Sequence, residues 1–255
     1  MAFHKLVYLL WHEGKFERGP LRDRLLGEVA PRLLKAGAAQ LSMNIADPES
    51  RMRSPSPTLP SDSPICAQVS AWVQDPARHR ELSAALAAAG FRIAGYRVEE
   101  TVYTDYGENR HAGPRTWPDG QRSPGVVQVT QLRRPRRLTH DEWMRRWHGR
   151  MSPVSEGIQP RPRYVRNAVL EVLTPGAEAL GGIVEEVWPS RRHVKNPFLY
   201  FGASNPWQLA VNFARVIGAV TSFLPLFRIP STMMGEYFIR TDPRVTKVRR
   251  GAYDI

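Results

Sequence analysis

The chain aligns with itself. At an offset of 122 residues, with no gap across the first strand and helix, Val7 matches Val129 and Leu10 matches Leu132. Leu21, Leu25, Val29 and Pro31 then match Trp143, Trp147, Met151 and Pro153. A chain that repeats itself must bury two similar sets of apolar faces, and this limits the folds open to it.

The elements recur in the same order. In the first half, residues 6–12 alternate like a strand and 20–37 have helical periodicity, with Pro20 suited to a first turn and Gly37 to a stop. Strands over 40–47 and 66–74, a helix over 79–90 and a strand over 91–103 follow. The Ser- and Pro-rich stretch 51–64 reads as a long mobile loop. In the second half, 126–132, 163–173, 182–188 and 233–240 read as strands, and helices are expected after Thr139 and over 205–226. Residues 107–125, polar and rich in Gly and Pro, read as the connector. The expected organisation is a unit over 1–110, a linker over 111–124, a second unit over 125–240 and a basic tail over 241–255. The fold class expected is α+β. Two ferredoxin-like βαββαβ units would close into an intramolecular barrel, each unit covering the apolar sheet face that the other cannot leave wet. The tail is expected outside the core, with room to wrap over it.

The helix after Thr139 is the most specific local signal. Thr139 and Glu142 form a capping box, and Gly157 can end the helix. Pro153 is expected to bend or end it. Spacing by four puts Trp143, Trp147 and Met151 on one stripe, where the first half has Leu21, Leu25 and Val29. Such a stripe packs a helix onto a sheet; where a cavity exists it also walls a ligand.

Together these motifs resemble the EthD family of the dimeric α+β barrel proteins. The resemblance rests on the basic Arg133–Arg137 run with its Pro, on Thr139 opening a helix, on the Trp143-x3-Trp147 pair and on Glu186-Val187-Trp188 in a later strand. It implies a small hydrophobic or aromatic molecule as partner, with cofactor-independent lyase, cyclase or isomerase chemistry. The alternative is a non-catalytic ligand-binding or accessory protein of a degradative or biosynthetic pathway. The chain departs from the family pattern where it reads Met151-Ser152-Pro153 instead of His-Ala-Pro. It departs again at Tyr164-Val165-Arg166-Asn167-Ala168, where Ala replaces a second histidine. Two proton carriers of the family are thus missing.

The remaining candidates come from strand alternation. Adjacent Glu185 and Glu186 must point to opposite faces, so one meets apolar surroundings that would raise its pKa. Glu236 shares a face with Met234 and Phe238. The competing reading pairs these acids with nearby Arg, such as Arg166 or Arg240. The candidate catalytic set is Glu186, Glu236, His148 and His12. The candidate substrate-binding set is Tyr8, Trp143, Trp147, Met151, Asn167, Trp188 and Tyr237.

Metal-ligand spacings, phosphate loops, dinucleotide fingerprints and nucleophile elbows are missing from the sequence, so no metal and no cofactor is expected. A single cysteine, Cys66, precludes a disulfide framework and fits a reducing, cytoplasmic setting. The apolar N-terminal run is too short for a membrane span, and so is the helix over 205–226. Net charge is +12. Residues 1–120 hold 15 Lys+Arg against 14 Asp+Glu, and residues 121–255 hold 21 against 10, so the excess sits in the second half. Coding bias toward Arg accounts for this, as would an acidic ligand, a nucleic acid or an anionic surface. Nucleic acid is disfavoured, because the aromatic octet that RNA-binding βαββαβ modules present on their sheet is missing. Whether chains pair into a homodimer is left open by the sequence.

Overall fold

The computed structural model describes residues 2–56, 64–225, 228–249 and 253–254. Part of the Ser/Pro-rich loop, two residues after the last long helix and part of the tail lie outside this set.

Eight strands form one closed antiparallel barrel: β1 (His4–His12), β2 (Gln40–Ile45), β3 (Ala67–Val73), β4 (Phe91–Thr104), β5 (Val126–Leu132), β6 (Arg163–Val172), β7 (Gly182–Trp188) and β8 (Ser231–Arg240). Around the barrel they run β1-β3-β2-β8-β5-β7-β6-β4. The first four strands thus stand in the order β4-β1-β3-β2 and the last four in the order β8-β5-β7-β6. Closure comes at two seams. β2 pairs with β8, with Asn44 opposite Glu236, and β4 pairs with β6, with Glu100 opposite Asn167. Closing the ring leaves none of these eight strands with a free sheet edge among the described residues.

Helices cover the outside. Over the first four strands lie α1 (Arg18–Arg24), α2 (Ala30–Lys35) and α3 (His79–Ala88). Leu21, Leu25, Val29 and Leu33 pack there against Leu6, Tyr8, Leu10 and Met43. Over the last four lie α4 (His140–Arg146), α5 (Ser152–Glu156) and the long α8 (Pro206–Phe223). Between β7 and α8 run two short helices, α6 (Arg191–Lys195) and α7 (Pro197–Tyr200), which the sequence pattern did not reveal.

The internal repeat extends to a helix defect. A π segment, Leu25–Val29, joins α1 to α2, and another, Trp147–Met151, joins α4 to α5. They lie 122 residues apart (147 − 25), each two residues ahead of a proline, Pro31 or Pro153. Proline cannot donate the next helical hydrogen bond and crowds the preceding turn. The helix absorbs this by widening for one turn instead of breaking. The expected bend or stop at Pro153 is therefore replaced by a π turn, and the helix runs on to Glu156.

The lumen also departs from expectation. One part is apolar, built from Val7, Leu9, Tyr96, Val129, Ile183 and Met234. The rest is charged. Glu185 accepts hydrogen bonds from Gln68 (2.9 Å), Asn167 (2.9 Å) and Asn44 (3.0 Å), and its carboxylate lies 3.4 Å from Lys5 Nζ. Arg163 Nη1 donates to Glu236 Oε1 at 2.8 Å, and the Tyr106 hydroxyl donates to Glu236 Oε2 at 2.7 Å. The inward faces therefore meet partly through paired charges and not through apolar contact alone.

The tail wraps over the barrel. The Val102 N–H donates to the Val248 carbonyl at 2.8 Å, Lys247 pairs with Asp105, and Asp254 accepts both Nη groups of Arg166 at 2.7 and 2.6 Å. Val245, Thr246 and Lys247 roof a cavity of about 250 Å³ at the barrel mouth.

Candidate functional site

On the helix-covered side of β5, β6 and β7 the strands present Gln128, Thr130, Leu132, Tyr164, Val184 and Glu186. Above them stand Trp147 and Met151 of the π segment and Val216, Val220 and Phe223 of α8, enclosing a space of about 100 Å³. It adjoins a larger cavity of about 350 Å³ that shares Ser56, Tyr200, Val216, Val220 and Ile229. The outer cavity is walled by Val194, Pro197, Phe201, Phe213 and Ile217. Together they form a cleft with an apolar mouth and a polar floor, the usual design of a small-molecule site.

The second half has this space because its strand is less filling. Under the 122-residue offset, Gln128 and Thr130 stand where the first half has Leu6 and Tyr8. Leu6 and Tyr8 fill the helix–sheet interface of the first half completely. Two polar residues on the side of β5 that faces helices were thus a readable signal, and the alternation argument alone passed over it.

Several polar groups on the floor have unused capacity. Gln128 Nε2 donates to Ser56 Oγ at 2.8 Å, but Gln128 Oε1 and Gln159 Oε1 are buried without a partner, as is Arg161 Nε. Both Gln side chains lie at the Tyr200 hydroxyl; burial first, and then the nearby Glu186 charge, push that hydroxyl well above its ordinary pKa. Buried acceptors of this kind can take a hydrogen bond from a bound donor, ligand or water.

Of the candidate residues, Glu186, Trp147 and Met151 meet at this cavity. Glu186 is ion-paired with Arg161, which also donates to Ser155 at 2.8 Å. The partner is neither Arg166 nor Arg240: Arg166 holds Asp254, and Arg240 donates to the Ala38 and Ala39 carbonyls. Trp188 stacks on Tyr200, with ring centroids 4.1 Å apart, and so backs the floor. Trp143 lies behind Trp147, 4.9 Å between centroids, and packs on Gly181. It fills the helix–sheet interface and does not line the cavity.

The other candidates lie elsewhere. Glu236 and Asn167 belong to the lumen network. Tyr8 donates to the His79 carbonyl at 3.1 Å beneath the first-half helices, and His12 sits at the end of β1 beside Phe16 and Phe91. Tyr237 donates to Asp47 at 2.9 Å in that same half. His148 was expected at a pocket rim but is buried under the tail, its centroid 6.4 Å from Tyr253, with neither ring nitrogen partnered. Burial, with the Arg166 charge added, presses its pKa down to about 3 against the pull of Asp254. It is neutral at physiological pH and faces away from the cleft. The floor residues Gln128, Gln159 and Tyr200, and Arg161 behind Glu186, were not among the candidates. Among the described residues no cluster of His, Cys, Asp or Glu could hold a metal ion. No helix among them is long and apolar enough to cross a membrane.

No family model matches the chain, and no curated protein matches it. Solved structures do. The crystal structure of an anthrone oxidase-like protein has a TM-score of 0.58 at 12% identity, covering 93% of this chain and 94% of the other. A mutant chlorite dismutase from Candidatus Nitrospira defluvii has a TM-score of 0.46 at 8% identity, covering 93% and 92%. At such identity the first likeness speaks for the fold alone. The chain is thus a closed eight-stranded antiparallel barrel with its helices outside, and it shares that fold with the anthrone oxidase-like protein.

Proposed function

We propose that the protein binds a hydrophobic or aromatic small molecule bearing a hydroxyl or amide-like donor, in the cleft between α8 and the β5–β7–β6 face. The observation that carries this reading is the pair of buried amide oxygens without a protein partner, Gln128 Oε1 and Gln159 Oε1, on the polar floor of a cleft with an apolar mouth. An apolar body would fill the mouth, and its donor would satisfy the floor. The same reading takes residues 1–110 and 125–240 as two EthD-like, ferredoxin-like units joined by 111–124 and followed by the 241–255 tail. The repeated strand order and the repeated π segment support that duplication.

Titration with a naphthol, an aromatic ring carrying one donor, tests the site. Trp147 forms part of the wall, so binding should quench tryptophan fluorescence. Val216→Trp fills the cleft and should weaken binding about tenfold or more, on the order of 1.4 kcal/mol. Equal binding by this variant would remove the cleft from the account. Native mass spectrometry of protein from its own host would then show which class of molecule co-purifies.

A second reading adds catalysis. Glu186 is only 13% exposed and sits with Tyr200 at one cavity, an acceptor beside a hydroxyl held protonated. That pairing suits cofactor-independent proton transfer of the lyase, cyclase or isomerase kind. Once a substrate is found, Glu186→Gln should cut turnover about tenfold or more with the fold intact. Binding without any product by mass spectrometry would leave the protein a carrier or accessory protein.

A further inference from the structure

The second half carries a basic excess of 21 Lys+Arg over 10 Asp+Glu. Its distribution is uneven. From residue 187 to residue 235 the chain has no Asp or Glu, yet it carries Arg191, Arg192, Lys195, Arg215 and Arg228. These five side chains belong to exposed residues. The same stretch contains α8, which leaves large apolar side chains in water: Trp207 is 78% exposed, Phe213 49% and Val211 38%. Scattered exposed apolar residues are ordinary, but here three lie within seven residues of one helix.

The elements are packed together. Asn212 of α8 donates to the Phe201 carbonyl at 2.8 Å, and Phe213 meets Phe201 with centroids 5.4 Å apart. α6 and α7 contribute Val194 and Pro197 to the cavity that Phe213 and Ile217 of α8 close from the other side. An apolar helix face and an apolar opening thus share one region with the cations of α6 and α8, and the stretch that builds it has no carboxylate of its own.

We propose that this region docks on an anionic lipid membrane. An apolar helix too short to span a bilayer, with a tryptophan near one end and cations close by, has the composition of a helix that lies in the headgroup layer. Cations near an anionic leaflet are attracted to it, and no Asp or Glu within 187–235 offsets them. In that orientation the cleft mouth faces the acyl chains. The surface stands apart from the identity of the cleft's ligand: vesicle binding is read with none present, so either reading can fail alone.

The experiment is co-sedimentation of the whole protein with vesicles of phosphatidylcholine, with and without phosphatidylglycerol. Binding is expected to the anionic vesicles only, and to weaken with salt. Trp207 should report it directly through a blue shift and protection from acrylamide. Trp207→Ser should lose the shift and bind about tenfold more weakly. Arg191→Glu with Arg192→Glu should lose binding by about tenfold or more; both sites are exposed, so folding should persist, checked by circular dichroism. Absence of binding to anionic vesicles overturns the proposal. So does equal binding by both variants, or a vesicle-free dimer that Trp207→Ser dissociates, which would make the face an interface between copies of this chain.

Discussion

Gly182 carries the weight of Trp147. A Cβ at this position would lie 2.5 Å from Trp147 Cη2, and the indole has no slack because it is itself buried. Gly182→Ala should therefore destabilise the protein by about 1–3 kcal/mol, the cost of overpacking, as a lowered urea midpoint. It should also move Trp147 and so weaken binding of the naphthol. His148 gives a second prediction at this scale. Its folded pKa of about 3 lies below the ordinary histidine value of 6.5. Between those values the unfolded chain binds a proton that the folded one refuses, so stability falls as pH drops below about 6.5. From pH 7.5 to pH 5 the loss should be about 2 kcal/mol. His148→Phe, which keeps an apolar ring in an unpartnered site, should lose that much less over the same interval. An unchanged pH dependence would show that the imidazole is not buried neutral.

Helix α4 opens with the Thr139–Glu142 capping box, in which each side chain meets the other's backbone N–H. Thr139 is exposed and Glu142 half-buried, so the contribution is local. Thr139→Ala should cost about 1 kcal/mol, seen as a fall of roughly 2–4 °C in Tm. This element was legible because its signals are short-range: a cap, a stripe spaced by four, a glycine after the last turn. The eight strands were legible for the same reason, since alternation is written into consecutive residues. α6 and α7 were not. At five and four residues they are too short to show a period, and Asn196-Pro197 at their junction reads as loop chemistry. The π turns were also hidden, because proline in a helix announces a disturbance without saying whether the helix stops or widens. At the cleft, the strand position of Glu186 and the stripe of Trp147 and Met151 could be read from pattern. Arg161, Gln159 and Tyr200 could not, because only tertiary packing carries these loop and short-helix residues to the floor.

At the scale of the whole molecule, the halves are joined by charge as well as by strand pairing. Glu185 on β7 meets Lys5 on β1, Gln68 on β3 and Asn44 on β2, so one carboxylate ties the second half to three strands of the first. Sequence alternation placed Glu185 and Glu186 on opposite faces but could not say that the inner one would find Lys5, which lies 180 residues away. Burial alone would raise the Glu185 carboxyl; Lys5, Arg163 and the amides of Gln68 and Asn167 outweigh it and hold it at about 2. Its pKa is depressed on folding, so its contribution is complete above the ordinary value of 4.5 and is lost as pH falls toward 2. Glu185→Gln should cost about 3 kcal/mol at pH 7, because Lys5 and Arg163 then remain buried with fewer partners. Between pH 7 and pH 3 the wild type should lose about 2 kcal/mol more than this variant does, as one proton binds the unfolded carboxyl and not the folded one. Calorimetry at the two pH values separates this effect from the other carboxylates, which both proteins share. If the variant matched the wild type at pH 7, the lumen network would be dispensable, and the seams with their apolar packing would suffice to hold the barrel closed.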